Sequence, residues 1–143
     1  MSNFEFEFCE ETPAEEDVAA IVDGLTASMR KGVMSRNFKP LAIFLRDTEG
    51  KVVAGLQGHT HWEWLQIKLL WVAPHLRSQD IGTRLMREAE ERARSRGCRG
   101  AVVDTFSFQA TGFYEKLGYA RFGSVDDFPH EHKRIYFSKL LTR

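Results

Sequence analysis

The stretch from Ile67 to Ala89 constrains the fold more than any other part of the chain. It opens with an apolar run of strand length, which ends at Pro74, and a polar loop follows. Apolar residues then recur every four positions at Ile81, Leu85 and Ala89, which is typical of a helix. A helix that begins directly after such a loop presents unpaired backbone N–H groups and the positive end of its dipole. The stretch therefore predicts a strand, a loop and a helix with an anion site, and the anion that we expect is a phosphate.

Length, charge and cysteine content limit the class of protein. The chain has 143 residues, which fits a single domain over residues 1–143. Its 20 basic and 20 acidic residues balance, so charge gives no support for nucleic acid or an anionic membrane as the main partner. Cys9 and Cys98 lie far apart and outside any Cys-x-x-Cys spacing, which indicates neither a disulfide framework nor a thiolate metal site. We see no signal-peptide pattern and no apolar run of the ~20 residues that span a membrane, so we expect a cytoplasmic protein.

The N-terminal part predicts a strand followed by a helix. Phe4, Phe6 and Phe8 alternate with glutamates, the two-residue period of a strand with one apolar face. Residues 12–15, Thr-Pro-Ala-Glu, form a capping box with proline at the first helical position. We expect the helix that follows to end near Gly32.

The remaining pattern predicts a mixed sheet. A turn-rich segment joins two apolar runs into a hairpin, and the gap of helix length after Ile67–Ala89 implies a crossover to a parallel strand. On the long helix, Glu90 and Arg94 stand four apart and are expected on its outer face. The predicted segments are strands 41–46, 52–58, 101–106, 119–122 and 135–140 and a short helix 109–117. The fold class is therefore α/β, a mixed and mostly antiparallel sheet with one central parallel strand pair, flanked by helices.

Two motifs in this chain resemble those of a known family. The first is Val72-Ala73-Pro74 followed by Arg77-Ser78-Gln79-Asp80-Ile81-Gly82, and the second is Phe113-Tyr114-Glu115-Lys116-Leu117-Gly118-Tyr119. Together, at this separation, they resemble the GCN5-related N-acetyltransferases (GNAT). The resemblance implies the acyl-CoA N-acyltransferase fold and transfer of an acetyl group from acetyl-CoA to a primary amine. The acceptor that it implies is a small-molecule amine or an exposed peptide amine, and the resemblance is compatible with a homodimer.

The resemblance places coenzyme A along the first motif. Backbone N–H groups at the start of the helix would hold its pyrophosphate, and Arg77 would add positive charge. The pantetheine arm resembles a peptide and would pair with the strand edge at Leu70–Val72, which requires the parallel strands to diverge beyond Val72. Ser107 stands where family members often have an asparagine that contacts the coenzyme. The cofactor-binding residues so predicted are Leu70, Trp71, Val72, Arg77, Ser78, Gln79, Asp80, Ile81, Gly82, Thr83, Ser107 and Tyr114.

The chain departs from the family pattern at two places. Asp80 stands where the family has its first loop glycine, and we expect its side chain to point outward as a helix cap. Gln66 and Lys68 occupy strand positions where many members place a glutamate or histidine facing the acceptor. Because glutamine cannot accept a proton, a non-catalytic acyl-CoA-binding regulatory module of the same fold is the alternative interpretation.

The catalytic candidates follow from the proton transfers that the reaction needs. An ammonium has no lone pair with which to attack a thioester, so a base must remove its proton. Glu63 and His61 are the first candidates because they lie near the strand, while His59 and Lys68 are the others. Tyr114 can protonate the leaving thiolate, and its alternative role is that of a core tyrosine.

Two histidine pairs raise the question of a metal. His59 with His61, and His130 with His132, are two residues apart, a spacing that puts both side chains of a pair on one face of a strand. A zinc site needs a closed set of ligands, which the sequence does not provide, so we expect no metal.

Overall fold

The computed structural model describes residues 4–29 and 31–141, which form two compact units, Met1–Met34 and Ser35–Arg143. In the first unit, α1 spans Glu15–Ala27. The helix begins after Ala14, which makes no side-chain capping bond, so the expected cap at Thr12 is wrong, and it ends five residues before Gly32. The strand expected at Phe4–Phe8 is also absent, since α1 is the regular element that the structure describes in this unit. Alternation alone does not make a strand, because a strand also needs a neighbour to pair with.

The second unit is built on a six-stranded sheet. Its strands are β1 (Lys39–Arg46), β2 (Val52–His61), β3 (Trp64–Val72), β4 (Gly100–Phe106), β5 (Ala120–Asp126) and β6 (Lys133–Leu140). A 3₁₀ turn at Pro74–Leu76 follows β3, and the helices are α2 (Ile81–Ser95) and α3 (Thr111–Lys116). The strand order is β1-β2-β3-β4-β6-β5, with β3 and β4 parallel and the other neighbours antiparallel. The predicted fold class is confirmed.

Local chemistry explains the two turns that frame the first half of the sheet. In the β1–β2 hairpin the Asp47 side chain accepts bonds from the backbone N–H groups of Glu49 and Lys51, at 2.9 and 3.0 Å, as turn aspartates do. Trp62 and Glu63 both adopt positive φ in the tight turn from β2 to β3. The β1–β2 turn lies where the sequence predicts it.

The core lies between the sheet and α2. Leu85, Met86 and Ala89 of α2 are buried against residues of the central strands such as Ile67 and Val103. Residues that alternate with these along β3 and β4 therefore lie on the opposite face of the sheet. That face carries Gln66 and Lys68 on β3 and Val102, Asp104 and Phe106 on β4.

Glu90 corrects the prediction for the outer face of α2. It is 3% exposed, accepts a hydrogen bond from the Tyr119 hydroxyl at 2.8 Å, and pairs with Lys139 at 2.9 Å. Arg94 lies 4.0 Å away, so the expected pair exists, but it borders a buried network. Helical spacing alone does not reveal which of two neighbouring charged positions is covered by the following strands.

No helix in the described part of the chain is long and apolar enough to cross a membrane.

Candidate active site

The ladder between β2 and β3 contains a β-bulge, which lies where the parallel strands β3 and β4 separate. On the β2 side, Gln57 pairs with Leu69 and Gly58 with Ile67, so Lys68 is the extra residue of β3. The bulge needs close backbone approach, since a Cβ on Gly58 would lie 2.2 Å from the Gln66 carbonyl oxygen. Bulges bend a strand away from its ladder, and this one sits at the point where β3 leaves β4.

The two parallel strands stop pairing directly before the bulge. Their register runs from Trp64 with Gly100 to Ile67 with Val103 and ends there. The divergence therefore begins at Lys68, five residues earlier than the expected point beyond Val72. The reason is the bulge, which has no signature in the sequence pattern.

The gap between the diverging strands is a cleft of about 730 Å³. Its walls include the C-terminal parts of β3 and β4, the loop before α3, and α3 itself. The predicted residues that line it are Leu70, Trp71, Val72, Arg77, Gly82 and Tyr114, and lining residues that the sequence did not single out include Asp104, Phe106, Phe108, Gln109 and Arg134.

The strand edge in this cleft offers main-chain groups. The Ala73 N–H donates to Val53 on the β2 side, so the N–H and C=O of Val72, and those of Leu70 two residues earlier, point into the cleft. Arg77 donates from Nε to the Val72 carbonyl at 3.1 Å, which ties the loop to the strand. The remaining groups of Leu70 and Val72 can pair with an extended amide-bearing chain.

The loop before α2 is held in a left-handed conformation. Ser78 and Asp80 have φ of 69° and 60°, values that favour glycine but are also tolerated by aspartate. Asp80 occupies the N-cap position of α2 but forms no side-chain capping bond, so the expected cap is wrong. An aspartate cap needs an extended backbone, which the left-handed turn does not provide.

The first turn of α2 adjoins α3 closely. A Cβ on Gly82 would lie 3.3 Å from Cζ of Phe113, so glycine permits this packing. The first backbone N–H groups of α2, from Ile81 to Thr83, have no partner within the helix, as at every helix start. This end of the cleft therefore suits a phosphate.

Tyr114 lies on α3, where its ring packs against Phe113, Tyr119 and Phe137. Burial, and secondarily the charge of Asp104, raise the pKa of its phenol to about 12. The phenol therefore remains protonated near neutral pH and is available as a hydrogen-bond donor or an acid.

Ser107 is not among the lining residues. Its hydroxyl accepts a hydrogen bond from the Lys133 N–H at 2.9 Å, and its own N–H donates to the Lys133 carbonyl at 2.8 Å. These bonds join the end of β4 to β6. Gln109 lines the cleft instead, and its side chain is fixed by bonds with Thr105 Oγ1 and the Phe106 N–H.

Glu63 and His61 lie at the other end of β3. His61 pairs with Trp64, three residues before Ile67 and therefore ~10 Å from the point where the strands separate. The Glu63 carboxylate forms an ion pair with Arg99 at 3.2 Å. Neither residue lines the cleft, so the structure does not bring these two predicted bases to the predicted cofactor residues.

His59 and His61 belong to a separate cluster on the face away from α2. Their rings lie 4.5 Å apart, His59 contacts Phe38 at 4.8 Å, and buried Nε2 of His59 and Nδ1 of His61 have no hydrogen-bond partner among the described residues. Burial, followed by the charges of His61, Lys68 and Arg36, lowers the pKa of His59 to about 4. Both rings are thus neutral near pH 7, since burial also lowers the pKa of His61.

No three histidine, cysteine, aspartate or glutamate side chains come together as a metal site within residues 4–29 and 31–141.

Comparison with known proteins agrees with this arrangement. The model of the acetyltransferase (GNAT) family matches residues 6–119. Blasticidin-S acetyltransferase of Streptomyces morookaense is 41% identical over 107 residues, which cover 73% of this chain and 79% of that protein. The crystal structure of an acetyltransferase from Bacillus cereus superposes with a TM-score of 0.77 at 29% identity, covering 94% of this chain and 97% of the other.

A third comparison bears on the fold. An aminoglycoside 6'-N-acetyltransferase crystallised with coenzyme A has a TM-score of 0.63 at 20% identity, over 73% of this chain and 74% of that one. The split sheet, the helix start beside it and these similarities lead to one conclusion. The chain belongs to the GNAT acetyltransferase family, and it is an acyl-CoA-dependent N-acetyltransferase with acetyl-CoA as its co-substrate.

Proposed function

We propose that this protein acetylates the primary amine of a small molecule by direct transfer, with acetyl-CoA and acceptor bound at the same time. The observation that carries the proposal is the cleft at the sheet split, where unpaired main chain, a helix start and a protonated phenol lie together. A small-molecule acceptor is supported by the 41% identity to blasticidin-S acetyltransferase. The alternative acceptor is a peptide amine, which turnover of peptides alone would favour.

The proposed roles in binding follow from the positions of the residues. Leu70 and Val72 pair with the amide-bearing arm of the co-substrate, as an added strand would. Backbone N–H groups from Ser78 to Thr83 hold the pyrophosphate at the start of α2. Arg77 supplies positive charge at the same end of the cleft.

Tyr114 is the proposed acid. Acetyl-CoA supplies an activated acetyl thioester, whose sulfur needs a proton when it leaves. A phenol with a pKa of about 12 is protonated near neutral pH, so it can donate a hydrogen bond to the sulfur as negative charge develops there. Tyr114 can therefore protonate or hydrogen-bond the sulfur without being ionised beforehand.

Thiol release with a panel of primary amines and peptides tests the proposal. We expect turnover with small amines, and a fall in kcat of about 100-fold or more in Tyr114→Phe with little change in KM for acetyl-CoA. Tyr119→Phe is the matched control, since it removes a hydroxyl from a ring whose centroid lies 6.2 Å from that of Tyr114 but which does not line the cleft. It should keep its kcat at temperatures where it remains folded.

Calorimetry with acetyl-CoA distinguishes the outcomes. Tight binding without turnover of any amine would favour the non-catalytic module over the proposal. Turnover of peptides alone would replace the small-molecule acceptor. Equal kcat in Tyr114→Phe and the parent would remove Tyr114 from the mechanism.

A further inference from the structure

The far wall of the cleft carries a carboxylate at the point where the sheet splits. Asp104 directly follows Val103, the last residue of β4 that pairs with β3. In the parallel register it stands across from Lys68, the extra residue of the bulge. It lies on the face of the sheet away from α2, and its side chain is 25% exposed.

A neighbouring arginine orients this carboxylate. Arg134 on β6 donates from Nε to Oδ2 of Asp104 at 2.7 Å, and its guanidinium is packed against the rings of Phe106, Phe128 and Tyr136 at 5.7, 5.1 and 5.5 Å. Stacking on rings fixes a guanidinium in place, so Arg134 holds Oδ2 of Asp104 and leaves Oδ1 outside this hydrogen bond. Arg134 is a positioning residue in this arrangement.

Asp104 and Tyr114 both line the cleft. The negative charge of Asp104 contributes to the raised pKa of the Tyr114 phenol. A carboxylate and a protonated phenol therefore border the same cleft at the split, one suited to accept a proton and the other to donate one.

Exposed rings extend from this carboxylate along the same cleft. Phe106 and Phe108 stack with centroids 5.5 Å apart and an angle of 11° between planes. Phe108 is 56% exposed, and Trp71, which lies on β3 and also lines the cleft, is 48% exposed. Large rings left uncovered at the mouth of a polar cleft indicate a surface that a ligand covers.

We propose that Asp104 binds the ammonium group of the acceptor and receives its proton, and that Phe108 and Trp71 stack on a flat ring carried by the same molecule. The acceptor class is therefore a primary amine attached to an aromatic or heteroaromatic ring. This rests on the proposed function, and it replaces Glu63 and His61 as proton acceptor with a residue that lines the cleft.

Each proton in the proposed reaction has a donor and an acceptor. Asp104 takes the ammonium proton and later releases it to solvent. The amine nitrogen then forms a bond to the acetyl carbon while the carbon–sulfur bond breaks. The sulfur takes the phenolic proton of Tyr114, and the second proton that the nitrogen loses returns to that phenolate oxygen.

Asp104→Asn tests the catalytic part. We expect kcat/KM for the amine to fall about 100-fold or more at neutral pH, with KM for acetyl-CoA changed less than about threefold. The loss should shrink for an amine that is already neutral at the assay pH, because no ammonium proton then has to be removed. Arg134→Lys should retain more activity than Arg134→Met, and the change should fall on kcat.

Matched acceptors test the ring. Phenethylamine should exceed cyclohexylethylamine in kcat/KM by about three- to tenfold in the parent, and Phe108→Ala should remove this preference. Thermal unfolding of each variant shows whether it is folded. Full activity in folded Asp104→Asn, or an equal loss with charged and neutral amines, overturns the role of Asp104, and no ring preference in the parent overturns the acceptor class. A parent that turns over no amine would contradict the proposed function itself.

Discussion

The hydroxyl of Tyr119 donates a hydrogen bond to Oε2 of Glu90 at 2.8 Å, and both residues are 3% exposed. Tyr119 follows α3 directly and Glu90 lies on α2, so the bond connects the segment after the second motif to the long helix. Nζ of Lys139 forms an ion pair with Oε1 of the same carboxylate at 2.9 Å. A buried carboxylate is tolerated only when donors surround it in this way.

Tyr119→Phe should therefore lower the free energy of unfolding by ~1–3 kcal/mol, because it leaves a buried carboxylate oxygen without its donor. Denaturant unfolding measures the change. Tyr136→Phe, which alters a half-buried tyrosine on β6, should stay within ~0.5 kcal/mol of the parent. Equal effects in the two variants would argue against a special role of the Glu90 network.

Gly58→Ala should destabilise the protein by about 3 kcal/mol or more. Its Cβ would lie 2.2 Å from a backbone oxygen of Gln66, which cannot rotate away as a side chain can. Gly112→Ala is the matched control, since nothing lies within 4 Å of its Cβ and it sits in α3. Alanine there should stabilise by ~0.5–1 kcal/mol. A stable, fully folded Gly58→Ala would show that the bulge can relax.

Asp80→Gly should raise stability and tighten acetyl-CoA binding. Glycine adopts the φ of 60° without the cost of ~1 kcal/mol that a side chain adds, and the change removes a negative charge near the proposed phosphate site. Asp80→Asn separates the two effects, because it removes the charge but keeps a side chain that tolerates this conformation. Calorimetry should show tighter binding in both variants, with a smaller difference from the parent at high salt. Unchanged affinity in Asp80→Asn would mean that the carboxylate does not affect the phosphates.

Acid should destabilise the fold through His59. Its pKa is about 4 in the fold and ~6.5 in an unfolded chain, so between these values the unfolded chain binds a proton that the folded chain does not. The free energy of unfolding should then fall as pH falls from 6.5 to 4, with a slope of up to ~1.4 kcal/mol per pH unit from this residue. His59→Gln should flatten the slope, and His75→Gln, at an exposed position, should not. Parallel curves for His59→Gln and the parent would contradict a neutral buried imidazole.

The sequence was informative where structure is local. The hairpin between β1 and β2 and the strand-loop-helix from Ile67 to Ala89 depend on neighbours in the chain, and the sequence predicts both. The crossover rule placed β4 parallel to β3 in the same way. The anion site expected at the start of α2 follows from the first motif, because helix starts bind anions in any fold, and it stays a prediction.

Features that depend on distant contacts were missed. Asp104 and Arg134 lie 30 positions apart and meet only because β4 and β6 pair. The bulge at Lys68 also depends on the pairing of β2 with β3, and Glu63 and His61 lie at the start of β3, outside the lining of the cleft. The strand expected at Phe4–Phe8 is the converse error, because alternation in the sequence does not show whether a partner strand is available.

The early end of the β3–β4 ladder also bears on solubility. An unpaired strand edge at the rim of a sheet invites other chains to add to it and aggregate. Here the unpaired edges of β3 and β4 face each other inside the sheet. The gap between these diverging strands has room for one narrow extended molecule, but it admits a strand that has neighbours of its own less readily. The chain can therefore keep exposed main-chain groups for the co-substrate that we propose to bind there, without offering them to other copies of itself.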